Sequence, residues 1–414
     1  MLKQVNPINI EYQDLRQWLL QQVTAISETL NLSLIEAHNR VLAQDIYSDI
    51  NVPAFTQSAM DGYAFHSADV SKKMQVITTQ FAKKNSEPLT LKPGQAVKIM
   101  TGGQLPIGAD VVIPREYAII ETLENKSWLQ NPNAHEKIWN SGKHIKAVGS
   151  DVSKGKCLLK SGQFLGPKEI GLLASCGVHQ VEVFRQAKVA LLSVGDELIE
   201  PGETLKEGEV YNSNQFLLQS FLQKLTVKIK TIESLQDDIA VLEKRLLELS
   251  SEVDVILTIG SSSMGDKDWL PKILEVWYQK EMNQITSFKR CKVNMRPAKP
   301  FLFAKVKGAS LISLPGNPLA CYFSFQLFAR PYLEQLQNIY FHEKPQLAII
   351  SESFNPQPFC RWILVVEDGN MVSPIHTSTS NLIALQQADG FIKIEDNQSI
   401  EVGQQVEFYG DFLC

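Results

Sequence analysis

Apolar residues near the amino terminus recur at three- and four-residue steps, the period of one face of a helix. The residues in this pattern are Leu15, Leu19, Val23, Ile26 and Leu30. The pattern predicts a helix over 14–30 and a second, shorter helix over 33–42. Helical spacing returns over 167–174, so we expect these segments to pack together as a helical linker region.

Between these segments the pattern changes to short alternating runs separated by Gly and Pro, as at 96–100 and 109–114. Alternation with a period of two is typical of half-buried strands. Residues 52–149 are therefore predicted to form a β-rich insertion.

From Lys188 onward, apolar strand-like runs alternate with helical segments. Strands are predicted over 189–194, 227–232, 253–259 and 311–314, and helices over 214–225, 239–249, 268–277 and from Pro318. Asp237 is placed to cap the second of these helices. The inward face of that helix would consist of Ile239, Leu242, Leu246 and Leu249. The alternation predicts a mostly parallel sheet with helices on both faces, in which ligands bind at the carboxyl ends of the strands.

After Glu343 the chain returns to short strands, at 347–350, 362–366, 391–394 and 406–409. These predict a small carboxyl-terminal β-barrel or sandwich. The predicted fold class is therefore multidomain α/β plus β. The predicted domains are a helical linker domain (1–50 and 150–185), a β-rich insertion domain (51–149), an α/β domain (186–340) and a carboxyl-terminal β-barrel domain (341–414).

Charge and cysteine content narrow the class of protein. The 414 residues include 40 Lys and Arg against 45 Asp and Glu, a net charge of -5. Nucleic acids and membrane surfaces attract cationic proteins, so neither is expected as a partner. The six cysteines are scattered without zinc-ligand spacing, and no apolar stretch has the length of a membrane span. A reducing, cytoplasmic location is the simplest expectation.

Small polar residues and carboxylates follow each strand of the α/β region. The segments are Gly195-Asp196-Glu197, Gln236-Asp237-Asp238, GSSSMGDKD at 260–268 and Pro315-Gly316-Asn317-Pro318. We expect them to converge, because the carboxyl ends of parallel strands share one edge of the sheet. Backbone N–H groups of Gly and Ser approach phosphate oxygens closely, whereas carboxylates repel a phosphate unless a divalent cation lies between them. The combination suggests a phosphorylated ligand with Mg²⁺.

Two other regions carry candidate chemistry. The segment RPAKP at 296–300 holds two cations between prolines and is either a solvated turn or an anion clamp. In the insertion, SAMDGYA at 58–64 and MTGG at 100–103, followed by PIGAD at 106–110, are candidate site loops. Any one of these segments, like any one acidic loop, is more often a turn or a helix cap than a site. The convergence of four loops at one edge favours a site.

These motifs, in this order, make the chain similar to the MoeA family of molybdopterin molybdenumtransferases, which is related to the carboxyl-terminal domain of gephyrin. The similarity runs through nearly the whole length. Besides the two insertion segments, it includes GDEL at 195–198, the Asp237-Asp238 pair, GDKD at 265–268, RPAKPF at 296–301 and PGNP at 315–318. Each motif is weak alone, but their order and spacing are specific.

The resemblance implies transfer of molybdenum from molybdate to adenylylated molybdopterin, with Mg²⁺-dependent release of AMP. It implies Mg²⁺ ligands at Glu197, Asp237 and Asp268, oxyanion contacts at Arg296 and Lys299, and further catalytic residues at Asp61 and Thr101. The implied substrate-binding residues are Gly195, Asp196, Ser261, Ser262, Ser263, Gly265, Pro315, Gly316 and Asn317. The family also implies a homodimer in which Asp61 and Thr101 act across protomers, and it raises a molybdopterin adenylyltransferase as a partner.

Several positions depart from the family pattern. Ser261-Ser262 replace Gly-Gly, Arg296 replaces Lys, Ala298 replaces Gly, Val194 replaces Thr and Ala320 replaces Ser. These departures leave open a catalytically weakened paralogue that binds molybdopterin or a protein partner without turnover. A third alternative, a different phosphoanhydride enzyme sharing only the α/β domain, would not supply the segments around Asp61 and Thr101.

Overall fold

The computed structural model describes residues 8–82, 89–130, 139–260, 269–340 and 345–410, and the chain divides into two compact units. The larger unit comprises Met1–Leu30, Asn39–Val41 and Val183–Cys414, and the smaller unit comprises Asn31–His38 and Leu42–Glu182. Among the described residues, none of the helices combines the length and apolar character of a membrane span. The finer four-domain division stays a prediction from the sequence.

A six-stranded sheet forms the centre of the smaller unit. In spatial order its strands are Val111–Pro114, Gly62–Phe65, Gln95–Ile99, Met74–Gln80, Lys126–Leu129 and Ile120–Leu123. The third and fourth of these strands are parallel, and the other neighbours are antiparallel. Successive residues of a strand face opposite sides of a sheet, so Phe65 and Ala64 lie in different apolar clusters. These strands agree with the predicted β-rich insertion.

Further short elements lie along this part of the chain. The strand Ile46–Tyr47 pairs with Cys157–Leu159, and Gln57–Ser58 pairs with Ile145–Lys146. Turns of 3-10 helix lie at Ser67–Asp69 and Arg115–Tyr117, a helix at Pro167–Ser175, and a strand at Gln180–Phe184. The Gly166 N–H donates a hydrogen bond to the Glu169 carboxylate at 3.1 Å, which caps the helix where helical spacing predicted one.

The predicted first helix is too long. It spans Tyr12–Gln21 and buries Leu15 and Leu19 as expected. Leu30 lies instead in the strand Thr29–Ser33 and is largely exposed. The residues after the helix include Val23 and Thr24, and β-branched side chains lose rotamer freedom in a helix and favour extended chain.

The predicted second helix is wrong, because residues 34–39 form turns. The Ser33 hydroxyl donates to the Glu36 carboxylate at 2.6 Å, and the Ser33 N–H donates to the same group. Asn39 adopts the left-handed conformation, with φ of 61°. Local side-chain hydrogen bonds of this kind compete with a helix and favour turns.

A seven-stranded sheet forms the centre of the larger unit. Its order is Ile8–Ile10, Ile285–Val293, Pro300–Val306, Ala309–Leu314, Val255–Ile259, Lys188–Val194 and Lys228–Leu235. Only Pro300–Val306 runs opposite to the others. The mostly parallel α/β sheet predicted from the sequence is therefore confirmed.

Helices cover both faces of this sheet. They are Tyr12–Gln21, Ser213–Lys224, Ile239–Leu249, Trp269–Gln279 and a continuous run of Pro318–Ser324, the π-helical Phe325–Ala329 and Arg330–Leu336, with a 3-10 turn at Met282–Gln284. Two apolar cores result, because Leu191 packs in one cluster and its neighbour Leu192 packs in the other. This confirms the prediction of helices on both faces.

A closed five-stranded barrel follows. Around its circumference the strands are Cys360–Asp368, Met371–Pro374, Gln346–Ile350, Gln405–Gly410 and Gly390–Ile394, which pairs back with the first. The short strand Met295–Arg296 adds to Cys360–Asp368, and a helix lies at Leu382–Gln387. The predicted carboxyl-terminal barrel is therefore confirmed.

One predicted helix cap is displaced by a residue. The Asp238 carboxylate, not that of Asp237, accepts the hydrogen bond from the Val241 N–H at 2.9 Å and caps the helix Ile239–Leu249. Ile239, which was predicted to face inward, is 44% exposed, whereas Leu242, Leu246 and Leu249 are buried as predicted. Asp237 therefore lies in the loop rather than at the cap.

Candidate functional site

The strand order of the larger unit contains a switch point. The chain runs from Lys188–Val194 outward to Lys228–Leu235 and then returns to Val255–Ile259 on the other side of the first strand. Connections on either side of such a point leave opposite faces of the sheet, which opens a crevice at the carboxyl ends of the two central strands. The candidate site is expected there.

A cavity of about 260 Å³ lies at this position. It is lined by Val194, Glu197, Leu198, Val210, Tyr211, Asn212, Ser213, Asn214, Ile259, Gly260, Gly316, Pro318 and Ser380. The structure thus brings together residues from three of the four predicted strand-end loops, together with the segment before the helix Ser213–Lys224.

Glu197 folds back over Gly195. A Cβ atom on residue 195 would lie 2.8 Å from both carboxylate oxygens of Glu197, so only glycine leaves room for this arrangement. The Val210 N–H donates to the Glu197 carbonyl at 2.8 Å, at the start of the short pairing between Leu198–Ile199 and Val210–Tyr211. The main chain therefore holds Glu197 at the cavity.

Asp196 and Asp237 connect two neighbouring strand ends. The Asp237 N–H donates to the Asp196 carboxylate at 3.0 Å. This hydrogen bond joins the first two acidic loops at one end of the sheet. Asp196 contacts the neighbouring loop here and is not among the cavity-lining residues.

Among the described residues, no group of three His, Cys, Asp or Glu side chains is arranged to hold a metal ion. Mg²⁺ usually takes only one or two carboxylates and completes its shell with water and phosphate oxygens. Glu197 and Asp237 supply the oxygen donors that Mg²⁺ prefers. Glu197 lines the cavity and Asp237 lies in the neighbouring loop, so these two carboxylates match by donor chemistry a magnesium ion that a phosphorylated ligand would help to bind.

Gly260 ends the strand Val255–Ile259 in a conformation that requires glycine. Its φ is 85°, and a Cβ atom would lie 2.6 Å from the Val194 carbonyl oxygen. The close approach of these two strand ends forms the floor of the cavity. The loop beyond, including the predicted residues Ser261, Ser262, Ser263, Gly265 and Asp268, lies outside the described residues.

The turn Pro315-Gly316-Asn317 caps a helix and contributes one residue to the cavity. The Asn317 carboxamide oxygen accepts from the Ala320 N–H at 3.5 Å, so it caps the helix Pro318–Ser324. Its amide nitrogen donates to the Thr379 hydroxyl at 3.0 Å. Gly316 lines the cavity, whereas Asn317 and Pro315 do not.

The segment RPAKP at 296–300 lies at the edge of the sheet where the parallel strands end, because the antiparallel strand Pro300–Val306 begins there. Arg296 and Lys299 are both exposed and do not line the cavity. The Arg296 guanidinium lies 4.4 Å from the centre of the Phe359 ring, a cation–π contact that a lysine makes less readily. Ala298, at φ of 72°, occupies a conformation that favours glycine.

In the smaller unit, Asp61 and Thr101 bind each other. The Thr101 N–H and hydroxyl both donate to the same Asp61 carboxylate oxygen, each at 2.7 Å. The Gly102 N–H donates to the Ser58 carbonyl, and the Ser58 N–H donates to the Gly103 carbonyl. The two segments singled out in the sequence therefore form one structural feature.

Two hydrogen bonds lower the pKa of Asp61: the bond from the Thr101 N–H has the larger effect, and the bond from the Thr101 hydroxyl follows. We expect Thr101→Val to raise this pKa toward its ordinary value, because one of the two donors is lost. The stabilisation from ionised Asp61 is present above its unfolded-state pKa and is lost as pH falls through its folded-state pKa. In the variant this stabilisation is smaller, and its loss is complete at a higher pH.

A carboxylate-detected NMR titration of Asp61 measures this shift. Thr78→Val is the matched control, because Thr78 is exposed and lies in the six-stranded sheet of the smaller unit. If the pKa of Asp61 were the same in Thr101→Val as in the unmodified protein, the assignment of the hydroxyl donor would be contradicted.

Sequence reasoning missed several residues at the cavity, among them Asn212, Asn214 and Ser380. The Asn214 amide nitrogen donates to the Gly316 carbonyl at 2.6 Å, and its buried carboxamide oxygen has no hydrogen-bond partner among the described residues. Asn212 belongs to a buried network with Ser193 and Gln215. Asn212 and Asn214 belong to a polar run before an otherwise apolar helix, and that run was an available signal for them. Ser380 has no such signal, because it comes from the barrel region.

Comparisons with known proteins agree over most of the chain. The families "MoeA N-terminal region (domain I and II)", "Probable molybdopterin binding domain" and "MoeA C-terminal region (domain IV)" match residues 10–177, 190–335 and 351–410. A molybdopterin molybdenumtransferase of Haemophilus influenzae is 35% identical over 80% of this chain and 78% of its own length. Molybdopterin molybdenumtransferase 2 of Mycobacterium tuberculosis is 27% identical over 95% of this chain and 98% of its own.

A solved structure extends the similarity to three dimensions. The crystal structure of a molybdopterin biosynthesis MoeA protein from Pyrococcus horikoshii superimposes with a TM-score of 0.76 at 26% identity. The superposition covers 97% of this chain and 98% of that one. The observed architecture of sheet, insertion and barrel is therefore that of a known fold.

Proposed function

The chain belongs to the MoeA family of molybdopterin molybdenumtransferases, and from that premise we propose that it transfers molybdenum from molybdate to adenylylated molybdopterin and releases AMP. The observation that carries this proposal is the cavity at the switch point, where Glu197 and glycine-lined backbone meet beside the Asp196–Asp237 contact. A cavity at the carboxyl ends of parallel strands, with carboxylates and glycine main chain beside it, supports a role in binding a phosphorylated ligand.

The proposed chemistry begins with cleavage of the phosphoanhydride. Water attacks the adenylyl phosphorus, the bridging P–O bond breaks, and molybdopterin keeps its own phosphate while AMP departs. Mg²⁺, when bound, neutralises the phosphate oxygens and polarises the P–O bond. Glu197 and Asp237 are the proposed Mg²⁺ ligands, and Asp268 remains a ligand predicted from sequence alone.

The cavity supports a role in holding the ring system. Gly260 and Gly316 let the ligand approach the main chain, and the buried Asn214 carboxamide oxygen offers an acceptor to the amide-like edge of a pterin. For molybdate, the proposed contacts are the exposed cations Arg296 and Lys299, since guanidinium and ammonium groups both bind oxyanions.

A single-turnover assay tests this proposal. The protein is mixed with adenylylated molybdopterin, Mg²⁺ and molybdate, and AMP and the metal-loaded pterin are separated by chromatography. Stoichiometric AMP that requires Mg²⁺, together with molybdenum on the pterin, is the expected result. Tight binding of the pterin nucleotide without AMP release would instead identify the weakened paralogue.

The residue at position 194 supports the second candidate function, the weakened paralogue. Val194 lines the cavity at the position where the resemblance leads one to expect a threonine, so one hydroxyl donor is absent from the site. A Val194→Thr variant that gains AMP release over the unmodified protein would support reduced activity in this chain.

We further propose that the enzyme is a homodimer with composite active sites. Asp61 and Thr101 lie in the smaller unit and Glu197 in the larger unit. In a twofold-symmetric dimer of Asp61→Ala with Glu197→Ala, one of the two composite sites would contain only unmodified residues. Random reassociation of the two inactive variants is therefore expected to restore roughly a quarter of the wild-type activity.

Activity of the reassociated mixture is measured alongside size-exclusion chromatography, which verifies that both variants are folded and exchange subunits. Each variant mixed with itself is the control. Mixed dimers that form but stay inactive would count against composite sites. A molybdopterin adenylyltransferase remains a proposed partner that delivers the adenylylated substrate.

A further inference from the structure

We propose that Trp269 is a positioning residue that holds the Asp237 loop in its working conformation. The proposal rests on the function proposed above and adds a residue to its machinery. Trp269 begins the helix Trp269–Gln279, and its indole N–H donates to the Asp237 carbonyl oxygen at 3.0 Å. No ligand contact is assigned to Trp269 itself.

The hydrogen bonds to Asp237 come from two sides. Its N–H donates to the Asp196 carboxylate at 3.0 Å, and its carbonyl accepts from Trp269. The peptide groups before and after the Asp237 Cα are therefore each held by a different element of the α/β fold. Since a planar peptide leaves only φ and ψ free at the Cα, holding both groups sets the direction of the Asp237 Cα–Cβ bond, from which the carboxylate projects.

Trp269 is itself well anchored. Its ring packs against the second apolar core, which includes Leu242 and Leu246, and the Lys272 ammonium lies 4.3 Å from the ring centre. An anchored donor loses little rotamer freedom when it forms a hydrogen bond, so the restraint on the loop is effective. A carboxylate on a loop that is already ordered binds a cation without the cost of first ordering that loop.

The same helix provides a matched control. The Trp277 indole N–H donates to the Glu243 carboxylate at 2.8 Å, and Trp277 is almost completely buried. Trp269→Phe and Trp277→Phe therefore remove the same chemical group from the same helix. Only the first substitution removes a hydrogen bond to the acidic loop.

The experiment compares both variants with the unmodified protein in three measurements. These are the Mg²⁺ concentration for half-maximal AMP release, Mn²⁺ binding followed by its EPR signal, and hydrogen exchange of the segment 233–240. Trp269→Phe is expected to raise the Mg²⁺ requirement and weaken Mn²⁺ binding by about fivefold, the effect of losing one net hydrogen bond. It should also speed exchange of the segment, whereas Trp277→Phe leaves all three measurements unchanged.

Two results would overturn the proposal. One is a Trp269→Phe protein with unaltered cation binding and exchange, and the other is an equal change in Trp277→Phe, which would indicate a merely structural effect. If Trp269→Phe does not fold, 3-benzothienylalanine incorporated at position 269 keeps the ring shape and removes only the N–H donor. If the unmodified protein releases no AMP, the proposed function fails, and Mn²⁺ binding and exchange still decide the role of Trp269.

Discussion

Glu197→Gln is expected to lower the single-turnover rate of AMP release by about 100-fold or more, the usual effect of removing one electrostatic contact to a reacting group. The substitution keeps the size of the side chain and its fold over Gly195, so the cavity keeps its shape. It removes the negative charge of the carboxylate, which we propose binds Mg²⁺. The loss is therefore expected in the rate constant and the Mg²⁺ dependence more than in the affinity for the pterin.

Rapid-quench kinetics at several Mg²⁺ concentrations measure this effect. Glu203→Gln is the matched control, because Glu203 is an exposed acid on the same segment that does not line the cavity. AMP release by Glu197→Gln at the rate of the Glu203→Gln protein would remove Glu197 from the proposed metal site.

Gly260→Ala is expected to destabilise the larger unit by about 2–4 kcal/mol. Part of the cost is the left-handed conformation at φ of 85°, which an alanine adopts about 1 kcal/mol less readily than glycine. The larger part arises because the new methyl group would lie 2.6 Å from the Val194 carbonyl oxygen, which belongs to main chain and moves only with its strand. The displacement also distorts the floor of the cavity.

Gly308→Ala separates these two contributions. Gly308 has φ of 90°, but a Cβ atom there would meet no atom within 4 Å. This variant should therefore lose only the conformational part, about 1 kcal/mol, and bind the pterin nucleotide normally. Denaturant unfolding and ligand binding of both variants provide the comparison. Equal losses of stability would indicate that the contact with Val194 is relieved without cost.

Local pattern predicted much of the fold because the cores are built from periodic apolar positions. Leu242, Leu246 and Leu249 lie on the buried face of their helix as their spacing predicted. The errors occur where local side-chain preferences and hydrogen bonds compete with helix formation. The first helix ends at Gln21 before β-branched residues, and the turn after Ser33 forms through the Glu36 carboxylate.

The candidate site follows the same division. Glu197 and Gly316 were predicted from their places after strands, and both line the cavity. Asp61 and Thr101 were singled out as separate loops, but only the folded chain shows that they share two hydrogen bonds. Ser380 and Trp269 were missed because no local motif marks a barrel residue that reaches a distant cavity or an indole that reaches a neighbouring loop.

The sequence by itself determined the family, the alternation of strands and helices, and the acidic residues that follow the strands, because these depend on residue type and spacing along the chain. Tertiary structure alone decided that Asp238 rather than Asp237 caps its helix, that Asp196 and Trp269 hold the Asp237 loop, and that Gly260 must lack a side chain. The cap depends on where the backbone enters the helix. The contacts of Asp237 and Gly260 depend on distances between atoms remote in sequence, which packing sets and periodicity does not encode.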